Sequence, residues 1–317
     1  MSPNAPDTRA PLLVWTALAI VYVVWGSTYL GIMIVIETMP PMLSGSLRFL
    51  TAALLLGGFL LIRRGREPFR MSPRQFGGAA LIGLLLLTGG NGMVAVAEQH
   101  ISSGLAALLV AAVPLWLVVF RIVFRDRPAV LTLAGVLVGF GGVAALSLSG
   151  GGGGGAGESS GTQGIVVILV ASLSWSVGSF LSARIPMPSN VWAASTIEMF
   201  AGGLGLLATG SLLGERLDLA SVSGRSWAAL AYLVLVGSLV GFTAYTWLLG
   251  NAPISLVSTY AYVNPAVAVL LGVLVLNEDV TTQMILGGVV ILVGVALVVS
   301  TERRAKSRTP VLEEVKV

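Results

Sequence analysis

Two charged side chains lie inside long apolar stretches of this sequence, where a charge is costly. They are Arg48 and Glu198, 150 positions apart. If these stretches cross a membrane, a lone charge near the bilayer centre costs at least about 2.5–3.5 kcal/mol. Mutual pairing lowers that cost, so we expect Arg48 and Glu198 to form an ion pair. The pair would act as a structural strut, or as an ionisable gate, a proton site or a carboxylate site.

The most polar window within an apolar stretch combines phenol, amide and proline side chains. Its members are Tyr260, Tyr262, Asn264 and Pro265. Proline has no backbone N–H, so Pro265 leaves the carbonyl of Ala261 without its helical donor. Pro114 is placed in the same way 151 positions earlier. Paired helix breaks at matching positions indicate a transport site; the alternative is a pair of fixed kinks that shape the helices.

Aromatic and hydroxyl residues recur at helical spacing in two further stretches. Trp25 and Tyr29 share one helix face, and Trp175 and Ser179 share another 150 positions later. Apolar walls with a few polar groups suit a cavity for a small amphipathic solute. Tryptophan can also stack on an aromatic ring or an organic cation. We predict that these four residues line a cavity; simple helix packing is the alternative.

Asn91 and Glu98 are seven residues apart, nearly two helical turns, and so are expected on one helix face. They would form a polar track on the cavity wall, with Glu98 able to titrate. The alternative is that Glu98 ends a helix in solvent. If transport is coupled to protons, Glu98 and Glu198 are the candidate groups.

Several kinds of chemistry are excluded by composition. The sequence has no Cys and a single His, so disulfides, thiolate catalysis, iron–sulfur clusters and histidine metal clusters cannot form. No pair of carboxylates lies together within one apolar stretch, as acid–base or metal catalysis would require. We expect no catalytic residue, no metal, no cofactor and no enzyme activity. The basic residues form no nucleic-acid-binding face.

The apolar stretches have the length of membrane spans. Hydrophobic residues make up 56% of the sequence and charged residues 10%, whereas a soluble domain has about 25% charged residues. A helix of about 20 apolar residues crosses the hydrocarbon core. We predict an all-α integral membrane protein with ten transmembrane helices, at about 12–36, 42–62, 75–97, 102–124, 129–148, 163–184, 190–213, 226–249, 254–276 and 281–301. The short gap before residue 254 makes a merger of the eighth and ninth spans the alternative.

The basic residues indicate the orientation. With the N-terminus inside, 15 of the 18 Lys and Arg residues fall in inner segments. The positive-inside rule therefore places both termini in the cytoplasm.

The two halves resemble each other, with matching tryptophans 150 positions apart and matching prolines 151 apart. The glycine run that begins at Gly150 separates them and has the composition of a flexible linker. We predict a first repeat over residues 1–149, a linker over 150–162, a second repeat over 163–301 and a tail over 302–317. Five spans per repeat force the second copy to enter the membrane inverted, as in many secondary transporters.

Specific short motifs accompany this architecture. They are Trp25-Gly26-Ser27-Thr28-Tyr29, Arg48-Phe49-Leu50, Gly90-Asn91-Gly92, Tyr260-Ala261-Tyr262-Val263-Asn264-Pro265 and Asn277-Glu278. With them the chain resembles the EamA family of the drug/metabolite transporter superfamily, in its YedA-like branch. The resemblance implies ten helices in two inverted repeats, and ATP-independent export of small metabolites, commonly amino acids or their analogues.

The sequence thus predicts a secondary transporter, an exporter or exchanger that works by alternating access around a central cavity. Its partners would be a small-molecule solute and the lipid bilayer of a bacterial inner membrane, with proton coupling and facilitated exchange both open. A passive channel and a non-transporting membrane protein are the alternatives.

Overall fold

A computed structural model describes residues 9–124, 128–148, 158–252 and 259–307 of the chain. Within these ranges the fold is helical and contains ten helical units. They are α1 (Arg9–Ile36), α2 (Pro41–Arg64), α3 (Pro73–Ala97), α4 (Ser103–Val123), α5 (Val130–Leu148), α6 (Glu158–Ser182), α7 (Val191–Leu212), α8 (Gly224–Tyr232, Leu233–Val240 and Gly241–Asn251 in sequence), α9 (Tyr260–Leu276) and α10 (Thr282–Ser307). A short 3-10 turn, Glu67–Phe69, follows α2.

Nine of these helices are long and apolar enough to cross a membrane; α9 contributes the shorter apolar stretch Val263–Leu276. Many large apolar side chains face outward along the helices, including Leu54, Ile62 and Leu137. Such a surface suits lipid better than water. The predicted all-α membrane fold is therefore confirmed. The eighth and ninth spans are separate, since α8 ends at Asn251 and α9 begins at Tyr260.

Polar residues next to the apolar runs begin several helices. The Asn190 side chain accepts a hydrogen bond from the Ala193 amide at 3.1 Å and starts α7. Ser72 and Gln75 form a reciprocal capping box at the start of α3. These caps satisfy amides that have no partner within the helix. The predicted linker from Gly150 lies outside the described residues.

Glycine allows α5 and α10 to approach backbone to backbone. A methyl group added at Gly142 would lie 2.8 Å from the backbone nitrogen of Ile291, and one added at Gly294 would lie 2.4 Å from that of Gly139. Small residues are typical of close helix contacts in membranes, where van der Waals packing replaces the hydrophobic effect.

Two π-helical segments interrupt the regular helices at matching places in the two halves. The first π segment, Leu84–Gly92, lies within α3, and the second, Leu233–Val240, lies within α8. They begin 149 positions apart, close to the spacing of the sequence repeat. Long π-helical turns are rare and often mark functional sites. The sequence analysis did not predict them.

The two matching prolines have different effects. Pro114 follows an interruption of α4, whose two parts are Ser103–Val110 and Val113–Val123. Pro265 lies inside α9, which continues through it. The predicted pair of helix breaks is therefore wrong at the second position. Pro265 is the sixth residue of α9, so the loss of its N–H leaves the Ala261 carbonyl without a helical donor but does not end the helix.

Two carboxylates from the second half cap helices of the first half. Glu215 accepts hydrogen bonds from the amides of Met42 (3.2 Å) and Leu43 (2.9 Å) at the start of α2. Glu278 accepts from the amides of Ser103 (2.8 Å) and Gly104 (3.2 Å) at the start of α4. Because α2 and α4 run in the same direction, both carboxylate caps lie at one end of the bundle.

The backbone before each carboxylate cap is left-handed. Gly214, with φ of 77°, precedes Glu215, and Asn277, with φ of 53°, precedes Glu278. Glycine and asparagine adopt this conformation more readily than other residues, and both commonly end helices. The local sequence thus ends α7 and α9 in a way that turns each carboxylate back toward a neighbouring helix.

Candidate functional site

Arg48 is buried in α2 and its partners are neutral. Its Nε donates to Ser238 Oγ at 3.1 Å and its Nη1 to Asn91 Oδ1 at 3.4 Å. The guanidinium also lies 4.8 Å from the centre of the Phe49 ring. The expected ion pair with Glu198 is wrong, because no contact of 4 Å or less joins the Arg48 guanidinium to the Glu198 carboxylate, and both residues are described.

The packing of α2 on α7 explains why Arg48 and Glu198 do not meet. Leu50 faces α7, since a methyl group at Gly203 would lie 2.8 Å from its Cγ. Arg48 is two positions earlier, about 200° around the helix, and so points away from α7. Glu198 is half-buried, and its backbone packs against Gly83 of α3. Neither the strut nor the gate formed by this pair is present.

Arg48 instead connects the two π segments. Asn91 belongs to the first and Ser238 to the second. A side chain in α2 therefore holds together equivalent irregular segments from both halves of the chain. A cavity of about 20 Å³, about the size of one water molecule, adjoins the guanidinium. Its lining includes Ile32, Val35, Ser44, Phe49, Ala95 and Leu230.

An aromatic cluster forms where α1, α8 and α9 meet. The Trp25 ring centre lies 4.9 Å from that of Tyr245 and 5.2 Å from that of Tyr260, the latter edge-on. Tyr22 and Thr259 share a hydrogen bond beside it. Tyr29 lies within electrostatic reach of Tyr260. The structure thus brings Trp25, Tyr29 and Tyr260 together, and their binding of a solute stays a prediction.

Asn264 joins α9 to α1. With its amide nitrogen toward the two carbonyls, it donates to Tyr22 O at 3.3 Å and to Tyr260 O at 3.1 Å. Gly26 permits this close approach, because a methyl group there would lie 3.0 Å from the Asn264 carbonyl oxygen. Asn264 therefore contributes helix packing within the predicted site. The side chain of Tyr262 lies outside the described part of the structure.

Trp175 and Ser179 lie on α6, beside the first π segment. A methyl group at Gly90 would lie 2.8 Å from the Trp175 ring. Ser174 Oγ donates to the Leu85 carbonyl at 2.8 Å and fixes this contact. Ser179 is half-buried one turn further along. Trp25 and Trp175 thus each contact a different π-bearing helix, because a methyl group at Gly241 of α8 would lie 2.8 Å from Trp25 Nε1.

Glu98 is buried at the end of α3, so the alternative of a helix end in solvent is wrong. The residue is 3% exposed, and neither carboxylate oxygen has a hydrogen-bond partner among the described residues. Burial, and next the charge of Glu278, raise the pKa of Glu98 well above its usual range. Tyr29 is also within its electrostatic reach. Asn91 does not extend this acidic site, because its side chain binds Arg48.

Sequence reasoning missed Ser238 and Tyr245. Ser238 lies in an apolar helix without a charged neighbour in sequence, so nothing singled it out as a partner of Arg48. Tyr245 has no aromatic counterpart 149 positions earlier, at the spacing of the π segments, where Val96 stands. The sequence carries only a weak signal for the π segments, namely Gly89, Gly90 and Gly237. The signal is weak because glycine also occurs where helices simply pack closely.

Comparison with known proteins identifies the family. The model of the EamA-like transporter family matches twice, over residues 13–148 and 162–300. The chain belongs to the EamA-like transporter family. The two matches to this EamA-like protein coincide closely with its two groups of five helices. Its family membership makes it a membrane transporter, with a small-molecule substrate and the lipid bilayer as its partners.

Relatives of this EamA-like protein occur in bacteria and plants. It is 42% identical over 266 residues to the uncharacterized inner membrane transporter YedA of Escherichia coli K12, covering 83% of each chain. It is 26% identical to the chloroplastic WAT1-related protein At3g02690 of Arabidopsis thaliana, covering 90% of this chain and 69% of that one. One crystal structure, 21% identical, shares the fold with a TM-score of 0.61 over 93% of this chain and 99% of that one.

Proposed function

We propose that this protein is a secondary transporter that exports or exchanges small amphipathic metabolites, most simply amino acids or related solutes. It would lie in a bacterial inner membrane, as the name of the YedA relative suggests, and would work by alternating access around a central site. Membership of a transporter family gives the general activity. The kind of solute and the mechanism are the proposal.

The observation that carries the proposal is the connection of two equivalent π segments through Arg48. Alternating access requires two halves that can change their contact while each remains folded. Segments outside the regular α-helical register are suited to such a change, because their hydrogen bonds can shift to a neighbouring acceptor. Here one such segment comes from each half, and they meet at a single buried side chain.

The character of the nearby side chains supports an amphipathic solute. The aromatic cluster offers half-buried ring faces together with phenol hydroxyls. Arg48 adds a positive charge, and its partner Asn91 adds an amide. Helix α8 contacts both groups, since Gly237 of its π segment lies beside Arg48 and Gly241, the residue after that segment, lies beside Trp25. A solute with one apolar and one polar end could therefore contact both.

Counterflow in proteoliposomes tests this function. Vesicles loaded with an unlabelled amino acid should transiently accumulate the labelled form, which a carrier produces and a passive channel or a non-transporting protein does not. Trp25→Ala should reduce this accumulation at least tenfold. Trp15→Ala is the matched control, because Trp15 lies on the exposed surface of the same helix. Absence of counterflow for every solute tried, or equal loss in both variants, would contradict the proposal.

For the driving force we propose proton coupling through Glu98. Of the two carboxylates considered, Glu98 is buried without a hydrogen-bond partner in the described structure, and it faces Tyr29 from α1 and Glu278 from the end of α9. A carboxyl in such a place can carry a proton in one state and release it in another. A pH gradient that leaves solute uptake unchanged would contradict the coupling and leave facilitated exchange.

A further inference from the structure

Arg48 is a buried cation without an anionic partner. Only 6% of the residue is exposed. Its two hydrogen-bond acceptors, Ser238 Oγ and Asn91 Oδ1, are neutral, and the second contact is long at 3.4 Å. No carboxylate oxygen lies within 4 Å of the guanidinium in the part of the chain that the structure describes. Buried charges are normally paired, so this arrangement lacks an anion.

The guanidinium has unused donors. Arginine carries five N–H groups in a planar fork, and two of them are used here. Nη2 lies close to Gly237, where a methyl group would come within 3.4 Å of it. The absence of a side chain at Gly237 therefore leaves space beside this part of the fork. A planar carboxylate matches the fork with two parallel hydrogen bonds.

The adjoining cavity sets the size and charge of the missing anion. At about 20 Å³, the space is close to that of a single small group rather than a whole metabolite. Arg48 is the charged member of its described lining, and Ser44 and Asn91 are its other polar side chains. One positive charge in an otherwise mostly apolar pocket suits one negative charge. A doubly charged phosphate would remain partly uncompensated there.

We propose that Arg48 binds the carboxylate of the transported solute. This inference rests on the proposed transport function and narrows the substrate class to organic carboxylates. Asn91 is the positioning residue: its Oδ1 accepts from Arg48 and leaves its amide N–H groups free to donate to the carboxylate. Since Asn91 and Ser238 belong to the two π segments, a carboxylate on the unused donors of Arg48 would bind directly beside the contact that joins the two halves.

The test compares acids with their neutral counterparts on the purified full-length protein. The probes are acetate, L-leucine and L-phenylalanine, each with its amide, and the readout is the melting temperature over a concentration series. A ligand selective for the native state raises this temperature. We expect at least one acid to do so with an apparent affinity at least tenfold better than its amide. Equal effects of acids and amides, or no effect of any acid, would overturn the proposal.

Three variants separate binding from a structural role. Arg48→Gln should abolish the preference for acids. Arg48→Lys should keep the preference with weaker binding, because it keeps the charge but loses the fork. Ser238→Ala should also keep it, since the guanidinium remains. Acid preference that survives in folded Arg48→Gln would overturn the proposal. If Arg48→Gln does not fold, the proposal is decided by the acid preference of Arg48→Lys and of the wild-type protein.

Failure of this inference is distinguishable from failure of the transport function. Counterflow is measured for the same acids and amides. Counterflow of amides as fast as acids would leave the transporter in place and remove the carboxylate site. Counterflow of no solute at all would instead contradict the transport function itself.

Discussion

Glu98 lies in an environment that its position at a helix end does not predict. It ends a helix, where a carboxylate is usually hydrated, yet it is 3% exposed and its oxygens accept no hydrogen bond from the described residues. Ser103, at the start of the next helix, has a buried hydroxyl that is likewise without a partner there. A buried carboxyl of this kind favours its neutral form, because burial penalises the charge.

This environment predicts a pH dependence of stability. The pKa of Glu98 is raised in the folded protein by burial and by Glu278. Between the unfolded and folded pKa values the folded state binds more protons, so stability should fall as pH rises through the folded value. Glu98→Gln, which stays neutral, should flatten the profile and raise the melting temperature at high pH. Glu67→Gln, at an exposed loop carboxylate, is the control. An unchanged profile in Glu98→Gln would contradict the prediction.

At the scale of elements, the glycine contact between α5 and α10 can be tested by substituting two adjacent glycines, one inside the contact and one outside it. Gly142→Ala places a methyl group 2.8 Å from a backbone nitrogen of α10, whereas the methyl group of Gly141→Ala meets nothing within 4 Å. The first should destabilise the protein by about 1–3 kcal/mol through overpacking. The second should stabilise it by up to about 1 kcal/mol through helix propensity. Melting temperatures in detergent measure both, and equal shifts would contradict the packing account.

The positions of the elements followed from the sequence, whereas their internal irregularities did not. Apolar length and flanking charges determine where a chain enters and leaves a bilayer, so spans such as Pro41–Arg64 were predictable. The π segments depend on tertiary contacts, such as that of Ser174 with the Leu85 carbonyl. The sequence also indicated that Arg48 is buried, but it suggested the wrong partner. The partner depends on the direction in which α2 presents the Arg48 side chain, which is a tertiary feature.

At the scale of the whole molecule, the charge pattern predicts the orientation in the membrane. The chain has no native cysteine, so single-cysteine variants are labelled without background. Arg66→Cys, in the exposed loop after α2, should react with an impermeant maleimide only from the cytoplasmic side. Ser221→Cys, in the exposed loop before α8, should react only from outside. Reaction of both positions from one side would contradict the inverted arrangement and the cytoplasmic location of both termini.

The carboxylate caps Glu215 and Glu278 lie at the predicted outer face, and each reaches from the second half onto a helix of the first. Gly210 and Gly272 make room for them, because an added methyl group would lie 3.0 Å and 2.3 Å from the respective Oε2 atoms. Separating the halves at this face breaks four charge-assisted contacts, each worth about 1.5–3 kcal/mol. The resting conformation is therefore expected to be sealed toward the exterior. Under the export mechanism that we propose, opening of this face must then draw on the free energy of a bound solute or on closure of the opposite side.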